Sequence, residues 1–401
     1  MSVQFGRWNF EGRAEKPLSA DRLRQQLAPY GRDGEGRFAE EGIDLLFYRL
    51  GDTEDSCRSE QPFRMGPSQF LMWDGRLDNR DDLLRELRGS VPSAVSDISI
   101  VAAAYARWGQ ACFRKLVGDW ALSVWDGRRR ELVLAKDFLG TRPLFYFVEK
   151  TLVQWSSILD PLVLFAGRRF PLNREYLAGW FGLFPAAPLT PYIGIHSVPP
   201  ASYVVVRRDS VETRAFWQFE PVETLRYATD AEYEAHFLAL FRQSVRRRLR
   251  SPFPVMAELS GGVDSSSIVC VADRILTESE IVAPRVDTIT YYSTIEPNWD
   301  ELPYVEKVEK LRGKTGHRIE VRSDDVFHCD ADTSHFMATP GALDSESRSA
   351  LEFSRVFAET GSRVLLSGVG GDEVLGGAPS PFPQLADLFA RGCLRELLKQ
   401  S

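Results

Sequence analysis

The chain has 401 residues, of which 44% are hydrophobic and 26% charged, and its net charge is −7. That composition excludes a wholly disordered or fibrous protein, and the length allows two or three domains. A mildly acidic chain is a poor match for sequence-independent nucleic-acid binding, and no apolar run approaches the roughly 18 residues that cross a bilayer.

Residues 1–16 contain no apolar signal core. The cysteines (Cys57, Cys112, Cys270, Cys329, Cys393) lie far apart, with neither a CxxC pair nor a metal-ligand spacing. Reduced thiols in a cytoplasmic protein are the expected state.

In chain order, short β-rich runs come first: 43–50, 69–73, 120–125, 131–135, 144–148 and 202–206, punctuated by Gly, Asp and Pro. Residues 31–42, rich in glycine and charge, read as a surface loop. Helical patterns interrupt at 79–88 and 98–108. An α+β domain with mainly antiparallel strands is expected over 1–215. The rhythm then alternates over 216–401. A helical stripe (Phe237, Phe241, Val245, Leu249) precedes a strand at 255–259, a helix at 267–276 and a strand at 286–292. A helix opened by Pro303, a strand at 318–321, a helix at 347–358 and a strand at 363–366 follow. Strands alternating with helices imply an α/β, doubly wound parallel sheet, with ligands beyond the carboxyl ends of its strands. Arg246, Arg247, Arg248 and Arg250 read as a solvated helix face, and the five histidines as structural.

Two glycine-rich segments carry the chemistry. The first is Leu259-Ser260-Gly261-Gly262-Val263-Asp264-Ser265-Ser266, between an expected strand and helix. Adjacent glycines let the backbone approach a ligand, and the helix start offers unpaired N–H groups to phosphate oxygens. Ser260, Ser265 and Ser266 add hydroxyl donors, and Asp264 can hold magnesium. The lysine of the kinase-type phosphate loop is missing. The second is Ser367-Gly368-Val369-Gly370-Gly371-Asp372, after an apolar strand, with Asp372 as a second magnesium carboxylate.

The first segment resembles the pyrophosphatase loop of enzymes that split ATP between the α and β phosphates. The pair resembles the synthetase domain of the asparagine synthetase superfamily. Gln61-Pro62-Phe63, Trp73-Asp74-Gly75-Arg76-Leu77-Asp78-Asn79, Ser96-Asp97 and Asp137-Phe138-Leu139-Gly140-Thr141-Arg142-Pro143-Leu144-Phe145-Tyr146 resemble that family's amidotransferase half, in the family's order. The resemblance implies an N-terminal-nucleophile-type sandwich (glutamine amidotransferase type 2-like) followed by a Rossmann-like ATP-pyrophosphatase domain. It implies ATP and Mg2+, an acyl-adenylate and amide-bond formation.

Three departures shape the expected function. Residue 2 is Ser2, where the family exposes a cysteine nucleophile, and Asp74-Gly75-Arg76 replaces the Asn-Gly-Glu of the glutamine pocket. A hydroxyl without a dedicated base is a weak nucleophile. The domain is therefore expected to be an inactive platform, with Asp74, Gly75 and Asp97 as a relic glutamine pocket and Arg76 reversing a charge within it. Val369 replaces the Glu of asparagine synthetases, which removes a base and a counter-charge for a free amino acid. An apolar residue there, and Pro297-Asn298-Trp299-Asp300-Glu301-Leu302-Pro303-Tyr304, resemble the macrolactam cyclases of lasso-peptide biosynthesis. Asp300 and Glu301 are the candidate catalytic carboxylates, against the plainer reading of a solvated helix start. The third departure is length, since only 24 residues follow Gly377, whereas the resemblance implies further acceptor-pocket helices and a lysine. A fragment, a second polypeptide or a degenerate chain are the alternatives.

The expected substrates are a nucleotide and a peptide or amino acid, with a precursor peptide and a protease as partners and neither nucleic acid nor membrane. The rival functions are a glutamine-hydrolysing asparagine synthetase and a non-catalytic nucleotide-binding paralogue.

Overall fold

The computed structural model describes residues 1–12, 20–40, 42–89, 96–220, 225–278, 285–295, 301–322, 338–339, 347–375, 382–390 and 392. Two antiparallel sheets of six strands each form the N-terminal half. The first runs His196–Ser197, Phe145–Val148, Leu152–Ser156, Val3–Asn9, Ile43–Tyr48, Glu35–Glu40 from edge to edge. The second runs Ser210–Ala215, Ser202–Arg207, Glu131–Lys136, Trp120–Asp126, Gln69–Gly75, Phe63–Gly66.

The period-two alternation of these strands builds four layers. Along Gln69–Gly75, Phe70 and Met72 face the other sheet and pack with Trp8, Phe47 and Trp155. Leu71 and Trp73 point the opposite way, onto the helix Asp97–Trp108 and the turn Gly109–Lys115 through Ile98, Val101 and Phe113. On the far side of the first sheet, Phe5, Tyr48 and Phe147 pack on the helices Ala20–Leu27 and Asp160–Leu164. The outcome is helix, sheet, sheet, helix.

Trp120 anchors the second sheet. It is fully buried, stacks 5.7 Å from Trp73 and 6.1 Å from Phe216, and donates its indole N–H to Leu116 O at 3.3 Å. Its truncation removes those contacts and leaves a cavity. Trp120→Ala is expected to cost about 3–5 kcal/mol of stability, read by denaturant unfolding of the amidotransferase half.

Several strands escape the hydrophobic pattern. Val3–Asn9 sits centrally in its sheet, and Glu35–Glu40 is an edge strand, where 31–42 reads as a loop. Glu35–Glu40 carries little apolar surface, so its pairing with Ile43–Tyr48 organises it rather than its own pattern.

The C-terminal half holds a four-stranded parallel sheet in the order His317–Glu320, Val286–Tyr292, Val255–Glu258, Val364–Leu366. Val255, Ala257 and Leu366 face the helices Asp230–Arg248, Val263–Thr277 and Leu302–Arg312. Met256 and Ile289 face Val356 on Arg348–Thr360. Helices thus cover both faces. The strand that comes first in the chain, Val255–Glu258, lies between Val286–Tyr292 and the last strand, so the topological switch falls between Val255–Glu258 and Val364–Leu366. The helical stripe of Asp230–Arg248 is only partly a core face: Val245 and Leu249 are buried, while Phe237 is 49% exposed.

Candidate active site

The two glycine-rich segments leave the carboxyl ends of these neighbouring strands, and they touch. A Cβ built on Gly371 would lie 2.4 Å from Asp264 Oδ2, and one on Gly368 would lie 3.1 Å from Ser265 N. No side chain at 371 coexists with the Asp264 carboxylate in place. On the other side, a Cβ on Gly261 would lie 2.7 Å from Tyr304 Cβ and 3.1 Å from Glu301 O. The first loop is therefore sandwiched between the second loop and the start of the helix Leu302–Arg312. Gly261 and Gly370 adopt φ of 83° and 93°, conformations that favour glycine.

Hydrogen bonds shape the first loop from inside. Thr290 Oγ1 donates to Leu259 O at 2.7 Å. Ser260 N donates to Ser265 Oγ at 3.2 Å, and the two hydroxyls lie 3.0 Å apart. Gly262 caps the helix Val263–Thr277 without a side-chain bond, which leaves first-turn N–H groups to a ligand. Ser266 Oγ is buried without a partner. In the second loop, Gly371 N donates to Gly368 O at 3.0 Å and Val369 N to Ser367 Oγ at 3.2 Å. Asp372, in the first turn of Gly371–Leu375, is exposed. Glycine cradles, free helix-start N–H groups and two neighbouring acids fit a nucleotide's phosphates and a magnesium ion. Among the described residues, no group of three or more His, Cys, Asp or Glu could hold a metal by itself. Glu301 caps its helix and accepts Tyr304 N and Val305 N through its carbonyl. Asp300 lies outside the described residues.

A second site, in the amidotransferase half, is a cavity of about 50 Å3 lined by Ser2, Arg49, Asp74, Gly75, Asp97 and Arg142 among others. Ser2 N donates to Asp74 Oδ1 at 3.0 Å, and Ser2 Oγ accepts Leu50 N at 3.0 Å. Asp74 is 2% exposed and its Oδ2 has no hydrogen-bond partner. Burial pushes its carboxyl above the usual range, against the pull of Arg142. Arg142 reaches the cavity because Asp137 organises the turn before it. Asp137 Oδ1 accepts Leu139 N and Gly140 N at 2.9 and 2.7 Å, and Oδ2 accepts Trp120 N and Thr141 Oγ1.

Asp97 is fully engaged. Its Oδ1 accepts Arg80 Nη1 at 2.7 Å, and its Oδ2 accepts Leu77 N at 2.9 Å and Arg250 Nη2 at 2.6 Å. Arg250 comes from the C-terminal half, so a cation from that half occupies the carboxylate.

Two sequence expectations need correction here. Arg76 does not enter the pocket: 3% exposed, it donates to Asp78 Oδ1 at 3.2 Å and to Arg247 O at 2.8 Å. Nor is the arginine run a solvated face beyond Arg246, which is exposed. Arg247 meets Asp82 at 2.8 Å, and Arg248 spans Asp78 at 2.7 Å and Asp119. Spacing along a helix shows which residues share a face, but not that another domain's acids cover it. Sequence reasoning missed Arg49, Arg142 and Arg363 as cavity residues, because only the chain's return brings them together.

Residues 1–217, more than half of the chain, match the glutamine amidotransferase domain family, and residues 236–397 match asparagine synthase. Asparagine synthetase [glutamine-hydrolyzing] 3 of Bacillus subtilis is 29% identical over 382 residues, covering 91% of this chain and 61% of that protein. Asparagine synthetase [glutamine-hydrolyzing] 1 of the same organism is 26% identical over 261 residues, covering 62% of this chain and 40% of that protein. The chain thus spans less than two thirds of either relative's length. Among solved structures, the glutamine phosphoribosylpyrophosphate amidotransferase of B. subtilis complexed with ADP and GMP aligns with a TM-score of 0.39 and 14% identity, over 91% of this chain and 90% of that one. The paired domain matches, in the order amidotransferase then synthase, place the chain in the asparagine synthetase superfamily.

Proposed function

We propose that the chain carries the nucleotide site of an ATP- and magnesium-dependent carbon–nitrogen ligase. A substrate carboxylate attacks the α-phosphorus of ATP, pyrophosphate leaves, and an amine then displaces AMP to form an amide. The observation that carries this reading is the close seat of Asp264 against Gly371 at the switch point of the parallel sheet. Leu259, Ser260, Gly261, Gly262, Ser265 and Ser266 form one wall of the phosphate cradle, and Ser367, Gly368 and Gly370 the other. Magnesium on Asp264 and Asp372 would offset the charge of the leaving pyrophosphate.

Within that reaction, the amine is proposed to belong to a peptide, as in macrolactam formation, with a precursor peptide and a protease as partners. Val369, 91% exposed, together with Val263 and Val374 at 79% and 80%, gives these loops an apolar border. Such a border suits a larger substrate and supplies no counter-charge for a free amino acid. A bound peptide holds its amine beside the acyl group, which by itself lowers the barrier by several kcal/mol. Glu301, whose backbone abuts the first loop, and Asp300 are the proposed proton acceptors. The named relatives favour a second reading, the formation of asparagine from aspartate.

The test is ATP–pyrophosphate exchange and amide formation, assayed separately in the full chain. Val369→Glu is expected to leave exchange within about twofold and to lower peptide amide formation at least about tenfold, by placing a charge in the apolar border. Asparagine produced from aspartate, ammonia and ATP would instead establish the second reading. If neither reaction nor exchange occurs with peptide or aspartate, the ligase reading is wrong.

A further inference from the structure

An arginine held by the amidotransferase half lies ahead of each strand that carries a glycine-rich loop. Arg250 stands just ahead of Val255–Glu258. It donates to Asp97 Oδ2 at 2.6 Å, to Leu77 O at 3.1 Å and to Asp55 Oδ2 at 3.4 Å. Arg363 directly precedes Val364–Leu366. Its guanidinium spans both oxygens of Asp33, one of them at 3.1 Å, and donates to Gly51 O at 2.6 Å. The same guanidinium lies 4.0 Å from the ring centroid of Phe253, which sits between Arg250 and Val255. One entrance therefore packs on the other. Beyond them, Val255 pairs with Val364 and Ala257 with Leu366.

The strands are short. Three residues separate Arg363 from Ser367, whereas eight separate Arg250 from Leu259, four of them ahead of the strand. At about 3.3 Å per residue, Arg363 lies roughly 13 Å from its loop along a paired, extended backbone, and Phe253, packed on the same guanidinium, ties the segment after Arg250 to that entrance. A shift at Arg363 is passed to its loop with little slack. The remaining seam arginines differ, since Arg247 and Arg248 belong to the helix Asp230–Arg248 and carry no loop.

We infer that Arg250, Arg363 and Phe253 form a clamp by which the amidotransferase half sets the spacing of the two glycine-rich loops, and with it the affinity for nucleotide. They are positioning residues. The inference about affinity rests on the ligase reading, whereas the inference about loop order does not. It also gives the inactive-platform half a role in the reaction, through Asp33 and Asp97.

The experiment compares the full-length chain with Asp33→Asn/Asp97→Asn and with the seam control Asp82→Asn, which loosens Arg247 but neither entrance. In ATP–pyrophosphate exchange, the double variant is expected to raise the KM and Kd for MgATP about tenfold or more, with kcat within about threefold. Simple loss of folded protein would lower kcat and leave KM unchanged. Amide hydrogen exchange is read in parallel, without nucleotide. Exchange over 259–266 and 367–371 is expected to accelerate about tenfold in the double variant and not in Asp82→Asn. Should the double variant fail to fold by circular dichroism, Asp33→Asn alone is carried through both readouts. Unchanged loop exchange in a folded variant overturns the clamp, as does an equal change in Asp82→Asn. Accelerated exchange in a chain that binds no MgATP retains the clamp and overturns the ligase reading.

Discussion

Asp264→Asn is expected to reduce ATP–pyrophosphate exchange by about a hundredfold or more, in a protein that still folds. The side chain lies at the contact of the two glycine-rich loops, partly exposed and pressed against Gly371. The amide keeps its shape but loses the charge that holds magnesium. Removing one preorganised electrostatic element from a charge-developing site costs about 10²–10³ in rate. Gly371→Ala should reproduce much of this loss by a different route, because its Cβ would need the space of the Asp264 carboxylate. The check is exchange measured over a range of magnesium concentrations. Asp264→Asn should weaken the magnesium dependence along with the rate. Full exchange in both variants would remove the two-loop cleft as the adenylation site.

Glutamate release from glutamine is expected to stay at background in the native chain and in Ser2→Cys. Restoring a thiol does not restore the pocket. Asp97, the carboxylate that the family resemblance assigns to the glutamine amino group, already accepts Arg80, Leu77 N and Arg250. Arg250 would have to leave a partly buried ion pair, and separating such a pair is costly because each charge is left uncompensated. The ground for expecting no glutaminase thus rests on Ser2 and on Asp97 rather than on Arg76. Arg76 is turned into the domain seam, and the expected block lies in Asp97's existing partners. A coupled glutamate assay on both proteins decides the matter, and sustained release from either would restore the pocket as a working glutaminase.

Much of the fold is legible in one dimension. Period-two alternation in Gln69–Gly75 and Trp120–Asp126 reports a strand buried on both faces of a sandwich, because successive side chains must point to opposite sides. The strand–helix rhythm after residue 230 reports a parallel sheet, since parallel neighbours need a crossover between them. Both glycine-rich loops are legible for the same reason: close backbone approach and a helix start demand particular residues at particular spacings. Where the pattern is weak, as in Glu35–Glu40, a strand exists only because Ile43–Tyr48 offers it an edge.

The sequence alone thus determines the two architectures, the two loops and the absence of a cysteine at position 2. Tertiary structure alone decides which charges meet. Arg250 and Asp97 are 153 residues apart and Arg363 and Asp33 are 330 apart, so no local spacing announces either pair. Patterning records what each segment needs from its own backbone and from water. A pair of opposite charges records where two independently formed surfaces come together, and that is known only once both have folded.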